Sequence, residues 1–365
     1  MKIGHFIHID NTGGGSNSVI SQLRFFHANK YKQAVFYGGQ GRLADVCNKL
    51  SIYHKSVPTE SLIKSFLGII PLIYILKRQK LDILILHGQW AGLLGAVVSR
   101  MIGIPRVWYI ARWPSFYTDW DLIRIIRNFI CERTACCNSE YVITLSHSNR
   151  YHYLYRKLAS FDKIKVIPNG FNLGEILKEE KGIDIRKEYK WHDSEIHIVS
   201  VSRLETQKQI DWLLRSWKIV SDDLLHARLW IIGGGSEEKN LKSLHAELKL
   251  ERCEFLGSQP NGISFMKASD FVVMTSMYES FGRVLVEAMA CSRAFVASEA
   301  DGFRDIAKDG QEGYLVPVGD IQLFAMRMID LIKHKDLRDR MGQMGVKRAK
   351  DFEENKVHAK LEALI

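Results

Sequence analysis

Six cysteines occur in 365 residues, Cys47, Cys131, Cys136, Cys137, Cys253 and Cys291. Their spacing fits neither a metal knuckle nor a disulfide framework, so reduced thiols in a core are expected. Long apolar runs are missing as well. The longest, Ser65 to Leu76, contains Pro71 and lies between Lys64 and the pair Lys77 and Arg78; a bilayer span needs roughly 20 residues. Strict repeats and low-complexity segments are absent. The chain enters a strand at Lys2 without the basic region, apolar core and cleavage site of a signal peptide, which makes a cytoplasmic location the expectation. Acids are scarce in the first half: residues 1–170 hold 22 Lys and Arg against 9 Asp and Glu, and the remainder 29 against 32. All of the net charge of +10 therefore lies in the first half. Such a face suits anionic lipid headgroups or a pyrophosphate-linked acceptor, unless the surface is simply basic throughout. Nucleic acid is not the expected partner, because no aromatic-interleaved RNA module or recognition helix occurs.

What is present is an alternation of strands and helices. Buried strands read at Lys2 to Asp10, Gln33 to Tyr37, Leu81 to Leu86, Arg106 to Ala111, Tyr141 to Ser146 and Ile164 to Gly170, with helical patterns between them. Asp121 to Cys137 reads as a long amphipathic helix with Arg124, Arg127 and Arg133 on its polar side. The charged stretch from Glu175 to Trp191 reads as a link between lobes. Strands resume at Ile196 to Val201, Leu229 to Ile232, Cys253 to Gly257, Phe271 to Met274, Ala294 to Ala297 and Gly313 to Pro317. The fold class is α/β: two doubly wound parallel-sheet, Rossmann-like lobes facing across a cleft, with ligands beyond the carboxyl ends of the strands. The expected boundaries are 1–172 for the first lobe, 173–345 for the second, and 346–365 for a C-terminal helix packing back on the first.

Ser276 to Ala290 carries the most chemistry. The strand Phe271 to Met274 runs into a polar turn, Glu279 Ser280 Phe281 Gly282, and then a helical pattern. Glu279 would lie at the mouth of the turn and Glu287 about two helical turns into the helix, so both can face one cleft. The N–H groups of Ser280, Phe281 and Gly282 would open the helix, where donors and the dipole attract anionic or sugar oxygens. Acids at a helix N-terminus also occur without function. Two glycine turns accompany this stretch. Gly13 and Gly14 follow the first strand and Gly233 to Gly235 another; neither has the dinucleotide spacing or a P-loop lysine. Arg203 and Lys208, five apart at a strand end, are placed to clamp a diphosphate and stabilise charge developing on it.

Together these landmarks resemble the retaining glycosyltransferases of family 4, which have the two-lobe GT-B architecture. Val166 Ile167 Pro168 Asn169 Gly170, Phe255 Leu256 Gly257 and Asp301 Gly302 extend the similarity over nearly the whole chain. The resemblance implies that Glu287 binds ribose hydroxyls, that Glu279 with the N–H groups of Phe281 and Gly282 holds donor-sugar hydroxyls, and that no covalent enzyme nucleophile is used. The resemblance also implies that the departing phosphate takes the acceptor proton. Glu279 and Glu287 then differ from a hydrolase's acid and nucleophile pair, which would not require the cationic clamp. The implied partners are a nucleotide-diphosphate sugar and a glycan or lipid-linked acceptor in polysaccharide or glycoconjugate synthesis, with hexosyl or N-acetylhexosaminyl transfer. No cofactor and no metal are expected, since cations replace the metal. Contact with an anionic membrane through the basic lobe, at its inner face, is expected too.

The chain departs from the family pattern at one place. Where many members carry a histidine, the strand from Arg106 ends in Ala111 and Arg112. His87, at the end of a neighbouring strand, is a candidate substitute, and Arg112 and His147 are further acceptor-side candidates, with Trp90 and Trp113 beside them. The departure leaves a catalytically inactive binding or scaffold subunit open, and a nucleotide-sugar epimerase or sugar phosphorylase of the same fold is the rival among enzymes. An oxidoreductase is disfavoured by the glycine spacing.

Overall fold

The computed structural model describes residues 1–8, 14–39, 41–58, 62–111, 122–178, 184–224 and 226–365, and at 62–67 the backbone only. The described chain forms two units, Met1–Phe171 with Glu354–Ile365, and Asn172–Glu353.

The first unit contains β1 (Lys2–Ile7), β2 (Lys32–Tyr37), β3 (Tyr53–Ser56), β4 (Ile83–His87), β5 (Arg106–Ala111), β6 (Tyr141–Thr144) and β7 (Ile164–Val166). They form one parallel sheet in the order β3-β2-β1-β4-β5-β6-β7. Apolar residues on both strand faces explain the double covering. In β4, Leu84 and Leu86 enter one core with Leu72, Leu76, Ala96 and Ala135. Ile83 and Ile85 enter the opposite core with Phe26, Val357 and Leu361. Helices Leu62–Gln79, Gln89–Ile102 and Leu122–Cys137 form the first layer; Gly14–Ala28 and Glu354–Glu362 lie on the other face.

The second unit contains β8 (Ile196–Val201), β9 (Ala227–Ile232), β10 (Cys253–Gly257), β11 (Phe271–Met274), β12 (Ala294–Ser298) and β13 (Tyr314–Val316). Its parallel order is β10-β9-β8-β11-β12-β13. The winding reverses between β1 and β4 in one sheet and between β8 and β11 in the other. These are the switch points beyond which open α/β sheets hold ligands.

Several sequence expectations change. The edge strand β3 gives no apolar signal because most of it faces solvent. The described residues of the Glu175 to Trp191 stretch belong to the second unit: Ile176 and Ile185 are buried, and Trp191 stacks on His197 with ring centroids 4.5 Å apart. The final helical pattern is broken, with Lys335–Ala349 in the second unit and a 3-10 turn at Lys350–Phe352. Buried Phe352 packs edge-on against Phe281 at 5.5 Å, and Glu353 is extended, so the chain rejoins the first unit at Glu354 rather than at residue 346. Helix Leu122–Cys137 exposes Arg124 and Arg133 as expected, but not those alone. Its buried side bears Asn128, Cys131, Glu132, Ala135 and Cys136, and large apolar residues face outward. Among the described residues, no helix is long and apolar enough to cross a membrane.

Candidate functional site

The β8/β11 switch point of the second unit gathers the sequence-predicted residues of that unit. Adjacent parallel strands carry their following loops to the same edge, so the loop after β8 meets the loop after β11. Thr275 Oγ1 donates to the Lys208 carbonyl at 2.9 Å, and Gln207 Nε2 to the Tyr278 carbonyl at 2.8 Å. Met277 N–H donates to the Gln207 carbonyl at 2.9 Å. Three bonds thus fix one loop on the other. On this frame the Lys208 ammonium pairs with Glu279 Oε1, with 16% and 13% of the side chains exposed. Ser276 Oγ donates to the same carboxylate oxygen at 3.0 Å. Arg203 is exposed at the start of the same loop. A cation that is held but partly open to solvent can be shared with an arriving diphosphate, and a carboxylate so placed can accept from hydroxyls.

Backbone approach explains the glycines. Gly233 lies at φ +145°, and a Cβ there would sit 1.7 Å from the Ser202 carbonyl oxygen. The loops after β8 and β9 are zipped together by Leu204 N–H to the Gly234 carbonyl at 3.0 Å and Glu237 N–H to the Leu204 carbonyl at 2.9 Å. Gly234 has room for a Cβ, its nearest neighbour being 3.7 Å away. Gly282, at φ +89°, caps helix Arg283–Ala290, and a Cβ there would lie 2.2 Å from the Phe303 ring.

The helix therefore opens at Arg283, not at Ser280. Ser280 is half-buried and Phe281 buried in the turn before it, where Gly302 N–H donates to the Glu279 carbonyl at 2.9 Å. Glu287 is consequently only one turn into the helix. Its carboxylate lies 3.5 Å from the Arg283 guanidinium, and Arg283 has its pKa lowered by burial against the raising effect of Glu287. Glu279 and Glu287 hold different cations, Lys208 and Arg283.

In the first unit, Gly14 is exposed as the first residue of helix Gly14–Ala28, while Gly13, Arg112 and Trp113 lie outside the described residues. His87 ends β4 at the β1/β4 switch point and is buried; its Nε2 lies 3.2 Å from His5 Nδ1. Burial pushes His5 down to about 3. Trp90 lies 6.1 Å from His8, ring centre to ring centre, and the Arg127 guanidinium lies over it. His147 is exposed in the first turn of helix His147–Tyr155, capped by Ser146. Ala111 is fully buried at the end of β5.

Four supporting residues escaped the sequence reading. The Arg283–Glu287 and Ser276–Glu279 contacts were accessible from their spacings of four and three. Gln207 and Thr275 were not, since their partners lie 71 and 67 positions away.

Comparison with known proteins agrees with this geometry. The model for "Glycosyltransferase Family 4" matches residues 12–175, and that for "Glycosyl transferases group 1" matches residues 183–348. An N-acetyl-alpha-D-glucosaminyl L-malate synthase of Bacillus anthracis is 29% identical over 276 residues, 73% of this chain and 69% of the relative. A UDP-Gal:alpha-D-GlcNAc-diphosphoundecaprenol alpha-1,3-galactosyltransferase of Escherichia coli is 25% identical over 283 residues, 76% of this chain and 73% of the relative. Among solved structures, Anabaena Alr3699/HepE in complex with UDP and glucose shares the fold with a TM-score of 0.84 over 100% of both chains, at 20% identity. Two parallel-sheet lobes, both family models and these relatives establish that the chain belongs to the family 4 glycosyltransferases of GT-B fold.

Proposed function

We propose that this glycosyltransferase moves a hexosyl or N-acetylhexosaminyl group from a nucleotide-diphosphate sugar, with retention, to a glycan or lipid-linked acceptor. The observation that carries the reading is the Lys208–Glu279 pair at the β8/β11 switch point, with Arg203 exposed at the start of the same loop. Breaking the donor's glycosidic bond leaves negative charge on the diphosphate, and Lys208, held in advance by Glu279, stabilises that charge together with Arg203. Glu279 and Glu287 accept from donor hydroxyls. The departing phosphate oxygen takes the acceptor's proton on the face it leaves, so configuration is kept without a covalent enzyme intermediate.

Arg203 and Lys208 supply the neutralisation that a metal would otherwise give, so turnover persists in chelator. Anabaena Alr3699/HepE was crystallised with UDP and glucose, and the Escherichia coli relative is named for UDP-Gal and a diphosphoundecaprenol-linked sugar; both support this substrate class. The excess of cations in residues 1–170 supports an anionic membrane, at its cytoplasmic face, as the surface where the acceptor is met.

A thermal-shift panel of nucleotide sugars tests the donor, since native-state binding raises the unfolding temperature. NMR of the product anomer then tests retention. An inverted anomer, or complete loss of turnover on chelation, overturns the corresponding part of the reading; release of an altered nucleotide sugar without acceptor would reassign the protein as an epimerase.

A further inference from the structure

We infer that the first unit seats on an anionic bilayer by inserting the outer face of helix Leu122–Cys137, rather than by charge alone. The inference rests on the membrane partner proposed above and names the surface that meets it. Leu122, Ile123, Ile126, Phe129 and Ile130 are all exposed, Ile123 at 78% and Ile126 at 52%. Their spacing puts them on one side of the first two helical turns. A helix of an ordinary soluble domain turns such a stripe inward.

Here the inward side is locked by polar contacts. Buried Glu132 accepts from the Tyr109 and Tyr153 hydroxyls at 2.7 Å each, and Gln89 Nε2 donates to the Asn128 carbonyl at 3.1 Å. Rotating the apolar stripe inward would strand these groups, so the outward hydrophobics belong to the native state. The adjacent helix Gln89–Ile102 adds exposed Val97 and Met101, and Leu62–Gln79, which packs on that helix, adds exposed Ile70 and Tyr74. Exposed apolar surface of this extent marks an interaction site.

Charge selects the occupant. The three helices carry Lys77, Arg78, Arg100, Arg124, Arg127 and Arg133 among their described side chains, and their one acid, Glu132, is buried. A second copy meeting this face through a two-fold axis would set arginines against arginines. An anionic lipid surface satisfies both features, with acyl chains taking the isoleucines and headgroups the cations.

Cosedimentation of the full chain with phosphatidylcholine vesicles, with and without phosphatidylglycerol, tests this. Binding to the anionic vesicles should persist in part at about 0.5 M NaCl, where the Debye length is only about 4 Å. The Ile123→Glu, Ile126→Glu double variant should bind at least about tenfold less at both low and high salt. Arg124→Gln with Arg127→Gln should weaken binding chiefly at low salt. A Phe129→Trp reporter should shift to the blue with vesicles and be quenched by brominated lipid.

Binding abolished by salt and unchanged in the Ile→Glu variant would leave charge-only docking and overturn insertion, as would a reporter without a shift. No binding under any condition overturns the membrane partner as well. A concentration-dependent dimer dispersed by the Ile→Glu variant would assign the face to a second copy instead. The variant's thermal shift with nucleotide sugars reports separately on fold and donor site.

Discussion

Lys208 and Glu279 are 71 positions apart in the chain and form an ion pair beyond the carboxyl ends of two adjacent strands. Each is the other's partner before any substrate arrives, so the cation and the acceptor are positioned in advance. Lys208→Ala should lower transfer by at least about a hundredfold, as loss of a preorganised charge does. Glu279→Ala should do likewise, and the double variant should lose much less than the product of the two, because they act as one unit. Initial rates, with unfolding temperature as the control, decide this; additive effects would separate the two roles.

Glu132 makes the stability of the first unit depend on pH on the neutral side. Burial raises its carboxyl from 4.5 to about 7, against two tyrosine hydroxyls that pull it down. A carboxyl raised in the folded state contributes stability that is present below about 4.5 and is lost as pH rises through about 7. The full swing is about 3 kcal/mol. Glu132→Gln should abolish this part of the pH dependence and unfold at a higher temperature than the native chain at pH about 8. Melting curves of both proteins on either side of neutrality test it.

His358 acts with the opposite sign. Burial lowers it from 6.5 to about 4, where its Nε2 lies 2.8 Å from Ser21 Oγ. A histidine depressed in the folded state contributes stability present above about 6.5 and lost as pH falls through about 4. His5, held at about 3 by burial, extends the loss to lower pH. Urea midpoints measured downward from neutrality should fall less steeply for His358→Gln than for the native chain. Equal slopes would refute the assignment.

The glycines of the second turn should separate stability from function. Gly233→Ala should cost about 2 kcal/mol or more, since its Cβ meets backbone that cannot yield and φ is strained. Gly234→Ala has space and should change stability by less than about 0.5 kcal/mol. If Gly234 lets the donor approach its backbone, that variant should nonetheless raise KM for donor. Unfolding midpoints and donor kinetics of the two variants provide the check.

Legibility in the sequence followed the range of the interaction. Strands β5, β8 and β11 read to the residue, because mainly apolar runs mark strands buried on both faces. The edge strand β3, exposed for most of its length, left no such mark. Helix Leu122–Cys137 read as amphipathic with arginines on its polar side, and Arg124 and Arg133 are exposed, but its large apolar residues face outward as well. Periodicity finds a stripe but cannot say which side is buried when Tyr109 and Tyr153, on other elements, hold Glu132 inside.

The chain by itself determined that two α/β units alternate strand and helix, that its positive charge lies in the first half, and that Arg203, Lys208, Glu279 and Glu287 stand at strand ends or in the turn and helix that follow, because these depend on local pattern. Only the tertiary structure decided that Lys208 meets Glu279 while Glu287 meets Arg283, and that five apolar residues of one helix face outward. Strand order and the burial of distant partners fix those choices, and neither is a property of neighbouring residues.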